Sequence, residues 1–363
     1  MGFSCGIVGL PNVGKSTLFN ALTQSAKAEA ANYPFCTIDP NTGLVSVPDD
    51  RLWALQKIVK TQKVVPTQIE IVDIAGLVKG AHQGAGKGNA FLSNVKGVDA
   101  ILHVVRCFDD DDIIHVDGSI DPVRDIEVID LELIMKDEET VKAKLERCTK
   151  KRMDKEAQAA IPTLEKVLAA FTELKPARAL DLSEEELAHI AECQLITAKP
   201  MLFVCNVADS DLPKGNAYAE AVAAHAATVG ACSIIISSKI EEELVQLEPD
   251  ERAMFMEDLG LTEPGLNVLV RAGYDILGLA VYFTAGEIEV RAWQIEKGWK
   301  APKCAGVIHG DFEAGFIRAE VASYDDYIAN QGEKGCRETG KLRAEGKDYV
   351  VQDGDVVHFL FSG

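Results

Sequence analysis

No apolar run in the 363 residues approaches the ~20 that a membrane helix needs. The first ten residues, MGFSCGIVGL, read as the strand of a loop motif rather than a cleavable leader, so a cytoplasmic protein with no membrane partner is expected. The nine cysteines form no C-x-x-C pair and no Cys/His cluster at zinc spacing; neither disulfides nor a structural metal are expected. Basic charge is scarce too. With 37 Lys and Arg against 57 Asp and Glu, the net charge of −20 argues against broad affinity for nucleic acid, and no DNA sequence specificity is expected. What remains is an ordinary globular composition, 47% hydrophobic and 26% charged, in a chain long enough for two or three domains.

Gly9 to Thr17 read G-L-P-N-V-G-K-S-T, a complete G-x-x-x-x-G-K-[ST] loop. An apolar strand, Cys5 to Val8, precedes it, and Leu18, Phe19 and Leu22 follow at helical spacing. Glycines at Gly9 and Gly14 let the amides of Asn12, Val13, Lys15, Ser16 and Thr17 turn toward phosphate oxygens at the positive end of a helix. Lys15 would reach the β and γ phosphates and Ser16 would hold Mg²⁺. A second strand, Ile69 to Val72, ends in D-I-A-G, where Asp73 would anchor the metal and Gly76 would sense the γ-phosphate.

Strands at Ala100 to Val105 and Met201 to Cys205 continue a βαβ rhythm, yet about 95 residues separate them where one helix would do. Leu131, Ile134, Val141, Leu145 and Cys148, then Ala157, Ile161, Leu164, Leu168 and Phe171, predict two amphipathic helices paired as an antiparallel coiled coil and joined near Thr149 to Asp154. Pro162 should kink the second helix or mark its start. From Lys136 to Lys155 eight basic residues face five acidic ones, so the hairpin is locally +3, with Lys150, Lys151, Arg152 and Lys155 at its tip. These are either RNA contacts or a solvated charged face.

Asn206-Val-Ala-Asp209 and Ser237-Ser238-Lys239 each follow a strand, at the sheet edge where ligands bind in open α/β folds. From Gly278 onward short strands (Val281 to Thr284, Glu287 to Ile295, Gly306 to His309, Val356 to Phe361) surround one helical stretch, Phe316 to Tyr324, which suggests a small α+β interaction module.

The chain resembles the YchF subfamily of Obg-like ATPases, a branch of the translation-factor-related P-loop NTPases. The resemblance is carried by the phosphate loop, N-Y-P-F-C-T at Asn32 to Thr37, D-I-A-G-L-V-K-G-A from Asp73, H-V-V-R-C-F from His103, R-A-W-Q-I, and G-V-I-H-x-D-F-E-x-G-F-I-R-A-E-V near the end. It implies an α/β fold: a Ras-like P-loop domain (1–128 and 200–277), an inserted helical coiled coil (129–199) and a C-terminal TGS domain of β-grasp type (278–363). It also implies Thr37 as a further Mg²⁺ ligand. The family prefers ATP to GTP, in part because N-x-x-E replaces the guanine-reading N-K-x-D; here Asp209 stands where the family more often has Glu.

Asn206 is expected to read the base edge and Val207 to lie on its face, with Asp209, Ser237 and Ser238 completing the base end. Leu77 occupies the place of the water-orienting Gln of many related enzymes, so hydrolysis is slow or uses another group. His115, in a mobile-looking segment after Asp109 to Asp112, matches a His that the resemblance marks as important for hydrolysis; the other reading is a solvated loop residue. Asn12 either helps to coordinate K⁺ against the transition state or shapes the loop. His103 reads as a structural strand residue. Gly80, Gly84, Gly86 and Gly88, with Lys79 and Lys87, read as a switch loop or a passive surface loop.

The leading expectation is a monomeric, slow ATPase that acts as a switch on ribosomes or structured RNA. A GTPase of the same architecture and a nucleotide-gated adaptor with incidental hydrolysis are the alternatives. A metabolic kinase is disfavoured, because no acceptor pocket is suggested.

Overall fold

The computed structural model describes residues 2–30, 41–74, 87–115 and 118–362, with the side chains of 27–30 and 87–90 left aside. Thr37, Gly76, Leu77, Lys79, Gly80, Gly84 and Gly86 lie outside the described residues. The chain divides into two compact units, Met1–Val45 with Glu70–Gly273, and Ser46–Ile69 with Tyr274–Gly363.

Along the chain run β1 (Ser4–Val8), α1 (Lys15–Ala30), β2 (Thr42–Ser46), α2 (Arg51–Val59), β3 (Val64–Val65), β4 (Gln68–Asp73), α3 (Lys87–Gly97) and β5 (Ala100–Cys107). Next come α4 (Pro122–Lys150), α5 (Lys155–Thr172), α6 (Glu184–Ala191), β6 (Met201–Val207), α7 (Ala217–Thr228), β7 (Cys232–Ile236), α8 (Ser238–Gln246), α9 (Pro249–Asp258) and α10 (Gly265–Ile276). The last stretch holds β8 (Leu279–Ala285), β9 (Val290–Glu296), α11 (Ala301–Ile308), β10 (Phe316–Ala322), β11 (Arg343–Glu345) and β12 (Val356–Phe361).

The first unit is built on a sheet of order β2-β4-β1-β5-β6-β7, with parallel pairing of β1 to β4 and β5, of β5 to β6, and of β6 to β7. All eight residues of β5 and all seven of β6 are buried, as expected of central parallel strands covered on both faces. Their carboxyl ends, with that of β1, converge on one edge of the sheet, and the loops carrying the motifs leave from there.

Between β5 and β6 stands a helical hairpin. Asp121 caps α4 by accepting from the Arg124 amide, Pro122 occupies the first turn, and Asp154 caps α5 by accepting from the Ala157 amide. Ile134, Val141, Cys148, Ala160, Leu164, Val167 and Phe171 share one core. Leu131, expected on the apolar stripe, is 40% exposed; Ile126, Ile129 and Leu133 carry the buried face there instead. Pro162 lies inside α5 and does not mark its start, since burial of Ala160, Thr163 and Leu164 outweighs one lost backbone bond.

The second unit holds a sheet of order β11-β10-β12-β8-β9-β3. Two sequence expectations reverse here. Phe316 to Tyr324 was predicted helical, but Phe316–Ala322 forms β10, paired antiparallel to both β11 and β12. The ladder buries Phe316, Ala319, Val321 and Ala322, a pattern that mixes three-residue and two-residue spacing. Gly306 to His309 was predicted as strand and is instead the end of α11, whose Ala301, Cys304 and Ala305 are buried at helical spacing. Residues 46–69, read from sequence with the nucleotide-binding domain, pack in this unit: β3 pairs with β9, and Arg51 bridges Asp49 and Asp353 at 2.8 and 2.7 Å.

Candidate functional site

The loop between β1 and α1 has the backbone that its glycines were chosen to allow. Gly9 has φ 154° and Gly14 has φ 97°; a side chain would stand 2.5 Å from the Val104 carbonyl at the first and 2.3 Å from Asn206 Nδ2 at the second. Between them Asn12 takes φ 62°, a left-handed turn that asparagine tolerates. The loop closes with the Leu18 amide donating to the Gly14 carbonyl at 3.0 Å, and α1 starts at Lys15 with its free amides at the sheet edge.

Lys15 Nζ donates to the Leu10 carbonyl at 2.8 Å. Burial pushes its pKa below the ordinary value, and the nearby Asp73 carboxylate opposes that only in part. Asp73, at the end of β4 and level with Ile7 of β1, is pushed upward by burial, with Lys15 opposing. Burial thus pushes each of the two toward its neutral form, and the charge of the other opposes the shift. Ser16 is exposed at the start of α1.

A cavity of about 460 Å³ runs from this loop toward the ends of β6 and β7, lined by Asn12, Gly14, Thr17, Phe108, Asp109, Asp110, Ile113, Asn206, Val207, Ala208, Asp209, Ser237, Ser238 and Lys239. Asn206 was expected to read the base edge. Its side chain is buried and braces the loop: Nδ2 donates to the Val13 carbonyl and Oδ1 accepts from the Ser238 amide, both at 2.9 Å. Asp209 is engaged at both oxygens, by Ser237 Oγ at 2.8 Å and Lys239 Nζ at 2.9 Å. Ser237 also caps α8 through the Ile240 amide. Ser238 Oγ is buried beside Gly14 with no hydrogen-bond partner among the described residues.

The segment after β5, expected to be mobile, is pinned. Arg106, 2% exposed, donates to the carbonyls of Phe108, Asp110 and Ile113 at 3.1, 3.0 and 2.8 Å, and stacks on Phe108. Asn12 Nδ2 ties the phosphate loop to the Ile114 carbonyl at 3.2 Å. His115 is not a solvated loop residue: it is buried, and Nε2 lies 2.8 Å from Asp125 Oδ2 in the first turn of α4. His103 is a buried strand residue, driven down to about 3 by burial and then by the Arg178 charge. Lys87 and Gly88 belong to the first turn of α3 rather than to a loop.

Lys150 ends α4, Lys155 begins α5, and Lys151 and Arg152 lie in the turn between; all four are exposed. Lys150 pairs with Glu146 at 2.6 Å, and Lys151 stands 3.8 Å from Asp154. Sequence reasoning missed Arg106, Phe108 and Asp125, and singled out Lys239 only as part of the Ser237-Ser238-Lys239 segment. The run HVVRCF contained the first two, but nothing in a lone sequence says that a strand arginine turns back on its own loop.

A G-x-x-x-x-G-K-S loop between a parallel strand and its helix, with an acidic strand end near the loop lysine, defines a P-loop nucleoside triphosphatase. A family model described as a 50S ribosome-binding GTPase matches residues 4–150, and the YchF GTPase C-terminal model, described as a protein of unknown function (DUF933), matches 279–362. The chain is 54% identical over 366 residues to Ribosome-binding ATPase YchF of Bacillus subtilis, with all of both chains covered. It is 53% identical over 364 residues to the protein of that name from Escherichia coli O157:H7, again with full coverage. The solved YchF GTPase of Schizosaccharomyces pombe superposes with a TM-score of 0.89 at 41% identity, covering 99% of this chain and 98% of that one. The chain belongs to the YchF family.

Proposed function

We propose that the chain is a ribosome-associated regulatory NTPase that binds ATP with Mg²⁺ and hydrolyses it slowly. The observation that carries the reading is the pairing of a preformed phosphate loop with a base end whose guanine-reading acceptor is already occupied. Guanine presents two donors to the Asp of an N-K-x-D loop; here both Asp209 oxygens hold Ser237 and Lys239. The relatives' names, ribosome-binding ATPase, agree with this.

Lys15 and the amides from Asn12 to Ser16 would bind the β and γ phosphates and neutralise charge as the bond to the leaving oxygen breaks. Ser16 and Asp73, with Thr37, would hold Mg²⁺, and the Asp73 carboxylate at the end of β4 fits a hard cation. When bound, Mg²⁺ neutralises phosphate oxygens and orients them for in-line attack. His115 is the group that orients water in place of the Gln that Leu77 replaces. Asn12 shapes the loop through its bond to Ile114 and leaves Oδ1 to a K⁺ ion.

The hairpin of α4 and α5 is read as the inserted coiled coil, and the second unit as a TGS domain of β-grasp type. The tip residues Lys150, Lys151, Arg152 and Lys155 are an RNA contact on an otherwise acidic chain, a directed electrostatic feature whose binding weakens with salt. Competition titration of ATP against GTP, with and without ribosomes, tests the nucleotide reading: GTP binding about tenfold tighter than ATP, a difference of about 1.4 kcal/mol, would reverse it in favour of a GTPase. Changing the four tip residues to Glu is expected to lower ribosome binding and flatten its salt dependence with ATP affinity unchanged. Co-sedimentation equal to wild type across a salt series would remove the tip as an RNA contact and favour a partner held elsewhere.

A further inference from the structure

A cavity of about 650 Å³ lies in the second unit, within the ~300–1,000 Å³ of ligand pockets. Val356, Val357, His358 and Phe359, four consecutive residues of β12, all line it. Successive side chains of a strand point to opposite faces, so a cavity that touches all four runs along the edge of β12 rather than over either face of the sheet. Every residue from 284 to 289, the end of β8 and its turn into β9, forms the facing wall.

The ladder shows why the edge is open. β12 and β8 share one register pair, Val356 with Phe283. Beside it the Phe283 amide donates to the Asp355 carbonyl and the Gly354 amide to the Val281 carbonyl, both at 2.8 Å. β8 then ends at Ala285 and turns, with the Gly286 amide donating to the Glu289 carbonyl at 3.1 Å, while β12 runs on to Phe361 with β10 along its other edge. Alternate residues of a strand turn their N–H and C=O to the same side, so Phe359 faces the β8 side as Asp355 does. At Phe359 the ladder with β8 has ended.

The lining names the occupant. Glu287, Glu289, Glu320 and Glu333 line the cavity, and among the described residues no lysine or arginine does. Glu289 pairs with Lys63 and Arg291, Glu320 with Arg318 and Arg337, and Glu333 with Arg337, but Glu287 holds no ion pair among the described residues. Apolar surface comes from Ile288, 84% exposed in the turn, and from the rings of Phe312 and Phe361, stacked with centroids 3.9 Å apart. We propose that this edge of β12 takes an extended segment of a partner protein, with basic residues alternating with apolar ones, as an added strand. Main-chain bonds to β12 supply the affinity and the carboxylates select the charge. The same carboxylates repel a second copy of this acidic edge.

The test uses the full chain and an end-blocked peptide of alternating valine and lysine, about six residues long as a natural strand is. Calorimetric titration is expected to show saturable binding that weakens with salt, and hydrogen exchange of the Phe359 amide should slow when the peptide binds. Methylating the peptide's backbone amides keeps its charge and removes its main-chain donors; binding should weaken at least tenfold. Glutamate in place of lysine in the peptide should abolish binding. Glu287→Lys, at an exposed turn residue, should weaken binding of the lysine peptide about fivefold with nucleotide affinity unchanged. No saturable binding, equal binding of the methylated or the glutamate peptide, unchanged exchange at Phe359, or wild-type peptide affinity in Glu287→Lys would each overturn the proposal. So would a chain that dimerises with the Phe359 amide protected, which would give the edge to a second copy.

Discussion

At the loop end of the cavity Lys15 and Asp73 face each other's charge with burial working against both, whereas at the end formed by β6 and β7 Asn206, Asp209 and Ser237 already hold hydrogen-bond partners. Lys15 and Asp73 are each pushed toward neutrality by burial. Asn206, Ser237 and Asp209 are tied to Val13, Ser238 and Lys239. At one end burial leaves two charges shifted toward neutrality, and the other end, where Phe108 and Val207 join the lining, is preassembled from side chains that already hold partners. The difference teaches that phosphate binding tolerates any nucleobase, while base choice depends on bonds that the ligand must break or leave alone.

Lys15→Ala is the harshest way to break the comparison. Loss of the cation should weaken Mg²⁺-nucleotide binding at least 100-fold, about 3 kcal/mol, with the fold intact because Lys15 is not a core residue. Calorimetric titration checks the affinity and circular dichroism the fold; undiminished binding would contradict a phosphate-loop role.

Asn206→Ala should come next. It frees the Val13 carbonyl and the Ser238 amide together, at a cost of about 1–3 kcal/mol for groups left buried and unpaired. ATP and GTP affinities should fall by similar factors and the melting temperature should drop. A change confined to one nucleotide would restore Asn206 as a reader of the base.

Lys239→Ala should have the smallest effect and sharpen the contrast most. The pair with Asp209 involves a lysine side chain that is 70% exposed, and water screens such pairs strongly. Freeing one carboxylate oxygen should therefore raise GTP affinity relative to ATP by about two- to fivefold, read from competition titration. An unchanged ratio would show that Ser237 alone, or the shape of the cavity, governs the choice.

The phosphate loop, the strand end at Asp73 and the existence of a helical hairpin were legible in the chain itself, because each depends on local spacing: glycines flanking a turn, an acid after an apolar run, apolar residues every three or four positions. β10 and α11 were not legible, because a two-residue or four-residue rhythm broken by alanines and glycines is settled by which ladder or sheet face receives it. Residues 46–69 joined the second unit through Arg51 and β3, contacts some 230 to 300 positions away in sequence. The same holds at the site. His115 and Asn206 were picked out by type and position, but only the tertiary structure decided that one pairs with Asp125 and the other braces the loop. A side chain's role follows from the partner it reaches, and those partners lie 10 and 193 residues away.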